Sequence, residues 1–394
     1  MASAGDQEMA ALVIDIGSDT IKAGLAGDDG PRVVMPAVLG RPRERALGDA
    51  RRLVGNEALL ARDRLDLVYP IDRGMVINPD DAEKMFHHLF VEELRVAPQE
   101  HHIFLTEPPL NPKQNREALA HMMFESFHVP ALCIASQAVL ALYSYGRDTG
   151  VVLNSGHDST HAVPVYHGFA LPHGIVRMDL GGRDLSSYLF ASLHELSELP
   201  PHWVVARTQQ ELVRDLKEKE CYVALDFEAE MDSFIEAQGL EAEKLPDTQE
   251  SDEISLCSLQ FRCPEALFQP AFIGLDVPGI HMIIYDAIMK CDIEHRQEFF
   301  SSICLSGGNT MFPGLDRRLQ KELSVLVNAS TPVNVFATPE RKFATWIGGS
   351  IACSVQTFAR FWIEKCEYDA DPHFEALHLR HQRYSLLRSG EYNL

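Results

Sequence analysis

At 394 residues, with 46% hydrophobic and 23% charged residues, the chain has the composition of a folded protein long enough for two domains, and disorder is excluded. Lys and Arg number 35 against 57 Asp and Glu, a formal charge of -22 that argues against direct binding to nucleic acid or anionic lipid and favours partners with basic patches. The eight cysteines show no C-x-x-C pair, which points to reduced thiols in a cytosolic or nuclear compartment, most simply as buried small hydrophobes. The opening MASAGDQEMA lacks the basic and apolar regions of a secretory signal.

In chain order, the first strong pattern is Ala11 to Arg32. An apolar run ends in Asp15, Gly17 and Ser18 supply a turn, and Ile21 to Ala26 resumes an extended segment, so a tight hairpin is predicted. Successive N–H groups around such a turn can cradle a phosphate, with Asp15 placed to hold a magnesium water and Lys22 to reach the phosphates. A Gly-Ser turn can equally be only a turn. Val33 to Gly40 reads as a further strand and Arg41 to Arg52 as a charged surface loop. Met85, Phe86, Leu89, Phe90 and Leu94 give Asp80 to Leu94 a helical period. The doublets His87-His88 and His101-His102 have no third ligand at a metal spacing and read as ordinary histidines.

Ile103 to Thr106 is a short buried strand, and the rigid turn Glu107 to Pro112 leads into a helix from Lys113 to Phe127. Ala131 to Tyr145, broken by Ser136 and Gln137, is too short to cross a bilayer and reads as a buried helix, with Leu132 to Ala135 a strand candidate ahead of the helix that carries Gln137. At Thr149 to Pro164 the opening pattern returns: an apolar strand ending in Asn154, then Ser-Gly, then another extended segment. Two such hairpins about 140 residues apart imply two homologous halves with a ligand held between their turns, unless the likeness is accidental.

Much else in the chain follows one pattern. The first hairpin, Asn111-Pro-Lys-Gln-Asn-Arg116, Gln137-Ala-Val-Leu140, Leu180-Gly-Gly-Arg-Asp184, Arg214-Asp-Leu-Lys-Glu-Lys219, Cys221 to Phe227, Phe261 to Pro270, Leu305-Ser-Gly-Gly308 and Trp346-Ile-Gly-Gly-Ser350 together resemble actin and the actin-related proteins, in order, from about Ala11 to Asp369. The resemblance implies an α/β protein of the actin fold, with two homologous α/β domains facing a nucleotide cleft. Residues 1–148 with 345–394 would form one large domain with a small insertion at about 37–73, and 149–344 the other with an insertion at about 185–278. The implied cofactor is ATP or ADP with Mg2+.

Carried over by position, Asp15, Gly17, Ser18 and Lys22 resemble the first phosphate hairpin, with Asp15 also at the metal, and Asn154, Gly156 and Asp158 resemble the second. Gly182, Arg214, Lys217, Glu218, Gly307, Gly308, Met311, Phe312 and Lys342 resemble the adenosine-side residues, and Gln137 and His161 the pair that positions the attacking water. Read without the family, Arg214 to Lys219 is a solvated helix face.

The second hairpin departs from the family. Asn154 lacks a carboxylate's charge, His157 stands for a second carboxylate, and Asp158, like Asp19 in the first hairpin, replaces a glycine. A carboxylate about 4 Å from a phosphate charge costs on the order of 4 kcal/mol at an effective dielectric near 20, so reduced hydrolysis and weak nucleotide binding are expected. The opposite reading has both aspartates turned away or holding the cation themselves, and a protonated His157 offsetting part of the repulsion.

The polymer-forming surfaces differ too. The loop Glu44 to Leu53 is shorter than the family's and charged, Arg73 stands where the family has a histidine, and the tail from His378 to Arg388 is basic and longer than usual. The acidic segment Leu245 to Glu253 reads as surface. The plug-like loop Ala271 to His281 stays apolar, and Tyr143, Gly146, Gly168, Phe169, Val355 and Phe361 resemble the hydrophobic cleft where actin partners insert a helix, although Val355 and Phe361 could equally be core. Three functions follow from the resemblance: a structural or complex subunit of the cytoskeleton with weak adenine-nucleotide binding, a nucleotide-hydrolysing filament-forming ATPase, or a subunit of a chromatin-associated assembly. The expected partners are actin-like subunits or actin-binding proteins, with no nucleic acid and no membrane span, in the cytoplasm and cytoskeleton or the nucleus. A sugar-kinase-like enzyme is disfavoured by the plug-like loop.

Overall fold

A computed structural model of the chain describes residues 10–42, 52–195, 208–241 and 258–371. The charged loop Glu44 to Leu53, apart from its last two residues, the acidic segment Leu245 to Glu253 and the basic tail His378 to Arg388 lie outside the described residues.

The apolar run predicted to start the chain is strand β1 (Leu12–Ile16), buried throughout because it is flanked on both sides. It pairs antiparallel with β2 (Thr20–Leu25), which pairs with β3 (Val33–Pro36). On its other side lies β9 (Ile103–Glu107), parallel to β1 and to β10 (Ala131–Ser136), and the edge strand β17 (Ile363–Glu364) completes six strands. Between β3 and β9 come a three-stranded sheet of β4 (Leu39–Pro42), β5 (Leu53–Val54) and β6 (Leu65–Val68), and a small hairpin of β7 (Ile71–Asp72) and β8 (Met75–Val76).

The second six-stranded sheet repeats the plan. β11 (Gly150–Ser155) and β12 (Thr160–Tyr166) form the hairpin, β15 (Ile303–Ser306) and β16 (Val335–Phe336) run parallel to β11, and β13 (Phe169–Ala170) and β14 (Val176–Met178) pair with β12. The register coincides as well: Asp15 lies opposite Lys22 in one hairpin, Asn154 opposite His161 in the other.

Two helices, Gln137–Ser144 and Ala344–Cys353, join the halves. A Cβ on Gly348 would lie 1.7 Å from the Leu140 carbonyl oxygen, so only glycine lets the two backbones meet. Leu140 packs with Val13, Phe104 and Trp346 of the first half, while Val139 and Leu142 pack with Val152, Val163 and Cys304 of the second. The Trp346 indole N–H donates to the Val13 carbonyl at 2.9 Å, fixing the second helix to β1.

Several expected elements divide. Ala131 to Tyr145 is strand β10 followed by the helix at Gln137, not one helix, and Val33 to Gly40 is split between β3 and β4. The expected helix from Asp80 is α-helical over Pro79–His88, capped by the Asn78 side chain, and widens to a π-helical turn over Leu89–Leu94. The helix from Lys113 likewise changes from α-helical to π-helical after His121. Among the described residues no helix is long and apolar enough to cross a membrane.

Candidate functional site

Strands β1, β9 and β11 end at one cleft of about 420 Å³, as strand ends do in α/β folds. The cleft is lined by every site residue expected from the sequence: Asp15, Gly17, Ser18, Lys22, Gln137, Asn154, Gly156, Asp158, His161, Gly182, Arg214, Lys217, Glu218, Gly307, Gly308, Met311, Phe312 and Lys342.

The first hairpin turn closes with the Gly17 N–H donating to the Thr20 carbonyl at 3.2 Å. A Cβ at Gly17 would stand 2.6 Å from that oxygen, so the glycine is required by close approach. Asp15, 4% exposed, is fully engaged: the Thr106 hydroxyl donates to it at 2.7 Å, Lys22 Nζ stands 3.1 Å away, and the Gln137 amide donates at 3.3 Å. The same amide donates to the Ile16 carbonyl at 3.1 Å. Gln137, expected to orient a water, is therefore tied to the hairpin.

The second turn closes in the same way, Gly156 N–H to the Ser159 carbonyl at 3.0 Å. Its charges differ. His161 is buried, and burial, helped by Arg177 and opposed by Asp179, holds its pKa near 4, leaving it neutral at pH 7. Its Nε2 is buried with no hydrogen-bond partner. Burial also lowers the pKa of His157, outweighing the upward pull of Asp19 and Asp158, so no protonated His157 offsets the carboxylates at neutral pH.

Asp158 does not face the cleft as an unpaired charge, which corrects the simple repulsion argument. Its Oδ1 lies 2.8 Å from Arg183 Nη2, an ion pair outside hydrogen-bond geometry, and its Oδ2 accepts the Arg73 N–H at 3.2 Å. Asp19 stands 3.5 Å from Arg214 Nη1 and 3.9 Å from His157 Nδ1. Arg73, grouped with the polymer surfaces on sequence grounds, lines the cleft. Arg73 and Gly74 form the two-residue turn between β7 and β8, both at positive φ, as a type I′ turn requires. The Gly74 N–H donates to Ser18 Oγ at 3.0 Å, so this small hairpin is clipped to both turns.

Beside the second hairpin, where the Gly182 N–H donates to the Gly156 carbonyl at 3.0 Å, Lys217 Nζ donates to the Gly182 carbonyl at 2.8 Å, and burial lowers the lysine's pKa. Gly307 adopts φ +93 with its Cβ position 2.3 Å from the Ser155 carbonyl, while nothing lies within 4 Å of a Cβ at Gly308, leaving open space beside the backbone. Asn309 is buried with its Nδ2 unpartnered. Three residues here escaped the sequence reading: Thr106, Arg183 and Asn309. Thr106 sits near the carboxyl end of a parallel strand and Asn309 directly follows Gly307-Gly308; those positions were the available signals.

Outside the cleft, Phe361 is core, 4% exposed and packed on Phe358, whereas Phe169 is 39% exposed. Phe272, Ile273 and Leu275 pack on the core of the second half, and Val277 remains exposed.

With this geometry in place, comparison with known families is specific: the protein-family model described as Actin matches residues 6–373, nearly the whole chain. The match agrees with the α/β architecture of two repeated sheets around a cleft.

Proposed function

Since the chain belongs to the actin family, we propose that it holds an adenine nucleotide weakly and acts as a structural or complex subunit through protein contacts, with hydrolysis reduced or lost. The domains would divide as 1–148 with 345–394 and 149–344. One observation carries the nucleotide part: among the residues lining the cleft, Asn309 Nδ2 and His161 Nε2 are buried without hydrogen-bond partners, an arrangement that costs on the order of 1–3 kcal/mol per group unless a ligand meets them. The open space at Gly308, the close approach at Gly307 and the Lys217 ammonium fit a nucleoside with its phosphates.

The donor set does not fit a divalent cation held by the protein itself. Asp15 is taken up by Lys22, Thr106 and Gln137, Asn154 is uncharged, and no group of three His, Cys, Asp or Glu is placed for a metal among the described residues. No catalytic step is therefore assigned to a metal. Gln137 is tied to Asp15 and the Ile16 carbonyl through its amide nitrogen, which leaves its Oε1 to accept from a water, whereas neutral His161 could accept a proton only weakly with its pKa near 4, a feature that supports slow turnover. The half-exposed Phe169, and Val277 on the plug-like loop, leave apolar surface for protein partners.

The deciding experiment is to denature the purified protein, identify any released nucleotide, and measure steady-state phosphate release from ATP. Adenine nucleotide in the supernatant with phosphate release far below that of conventional actin filaments is expected; release at the filament rate would refute the reading.

A further inference from the structure

Two departures of this chain from its family meet each other. Arg73 stands where the family has a histidine and Asp158 where it has a glycine, and the Arg73 N–H donates to Asp158 Oδ2 at 3.2 Å. Arg73 belongs to the β7–β8 hairpin, which lies in the chain between strands β3 and β9 of the first sheet, and Asp158 to the turn between β11 and β12 of the second, so this bond joins the two halves. Around it charges cross in both directions. Arg73 Nη1 lies 3.4 Å from Asp179 Oδ2, and Asp72 Oδ1 lies 3.8 Å from Arg183 Nη2, which is itself 2.8 Å from Asp158 Oδ1. Asp179 directly follows β14, and Arg183 lies in the first turn of the helix Gly182–Glu195, so both belong to the second half.

We propose that Arg73 and Asp158, with Asp72, Asp179 and Arg183 around them, latch the two halves together, so that the cleft opens on the protein's own charges and loosens with salt. The latch goes beyond the nucleotide reading and does not depend on it. Asp158 is its anchor: the side chain is 4% exposed, so parting the halves strips a buried carboxylate of the Arg73 N–H. The crossing ion pairs are its adjustable part. Asp72, Arg73, Asp179 and Arg183 are each about half exposed, so both pairs are weak and are screened by added salt. Arg73 holds a left-handed backbone at φ +52, which glycine or asparagine adopts more readily, so the turn alone does not account for an arginine there and its reach to Asp179 does. The helices Gln137–Ser144 and Ala344–Cys353 join the halves elsewhere, which leaves the latch to set how often they part.

The test is the distance between nitroxide labels, carried on acetylphenylalanine introduced at Leu60 in the first half and Ile235 in the second, both exposed, measured by pulsed electron resonance on the full-length protein with no nucleotide added. One narrow distance is expected at about 0.05 M salt, with a second, longer population appearing at about 1 M, where the screening length falls to about 3 Å. Arg73→Asp reverses the crossing charge, keeps the backbone N–H and suits the turn. It should raise the longer population at low salt at least about fivefold, and combining it with Asp179→Arg should reverse most of that rise. Asp72→Asn serves as the second variant should Arg73→Asp fail to fold, with a rise of about twofold expected. A distribution unchanged by salt and by the folded variants overturns the latch. A rise that Asp179→Arg leaves in place overturns it as well, because the charge at position 73 then acts on its own turn and not between the halves.

Discussion

The two hairpins share a backbone and differ in electrostatics. Both close on a glycine N–H, Gly17 to Thr20 and Gly156 to Ser159, and both set the penultimate residue of the first strand, a polar one, opposite a basic residue type, Asp15 against Lys22 and Asn154 against His161. In the first, a buried carboxylate is matched by an ammonium, a hydroxyl and an amide. In the second, the pair is uncharged, and the carboxylate has moved to the turn as Asp158, where Arg183 and the Arg73 N–H accompany it. Register and glycines therefore preserve the shape of the repeat, while charge can change wherever each buried ion keeps a partner.

The sharpest way to break the comparison is to remove the basic member of each pair. Lys22→Met strands the buried Asp15 carboxylate, and a loss of about 3 kcal/mol in urea unfolding is expected. His161→Met, which replaces a neutral ring carrying an unpartnered nitrogen, should cost less than about 1 kcal/mol. Equal losses would mean that the hairpins are not electrostatically distinct.

Acid should act nearly as strongly, and on the second hairpin. His161 has a folded pKa near 4 against an ordinary 6.5, so between these values the unfolded chain binds the extra proton. Stability on this account is complete above pH 6.5 and falls as the pH drops toward 4, by up to about 3 kcal/mol. His157 contributes in the same direction. The check is the difference in unfolding free energy between wild type and His161→Met across that range; parallel curves would remove His161 as the cause.

This asymmetry was only partly legible in the sequence. The fold could be read because strand periodicity, turn glycines and the motif order are local, and residues such as Gly17, Gly182 and Gly307 can be placed on a known pattern one by one. Asn154, His157 and Asp158 were visible as departures, but their consequence was not. Asp158 is paired with Arg183, 25 positions on, and with a backbone N–H from residue 73, and no local pattern reports contacts between residues so far apart in the sequence. The same limit hid Thr106, whose hydroxyl reaches Asp15 only because β9 lies beside β1. The division of Ala131 to Tyr145 was blurred for another reason: a buried strand running into a buried helix gives one continuous apolar stretch.

A smaller effect separates the two sides of the clip. Asp158→Ala removes the ion pair with Arg183 and the acceptor of the Arg73 N–H, while Ser18→Ala removes the acceptor of the Gly74 N–H. Each should cost about 1 kcal/mol, and each should speed amide hydrogen exchange at its own partner, Arg73 or Gly74. If either substitution releases both amides together, the two turns hold the β7–β8 hairpin as one unit and not independently.

The smallest effect belongs to the contact between the first hairpin and the helix that carries Arg214. Asp19 and Arg214 are 3.5 Å apart, each side chain is 31% exposed, and pairs in such positions contribute roughly 0–1 kcal/mol once solvent screening and side-chain ordering are counted. A double-mutant cycle with Asp19→Asn and Arg214→Gln should therefore give a coupling below about 1 kcal/mol that shrinks further in added salt. A coupling above about 2 kcal/mol would show that Asp19 and Arg214 hold the fold together, whereas a weak one means that changing the charge at Asp19 leaves the resting molecule almost untouched.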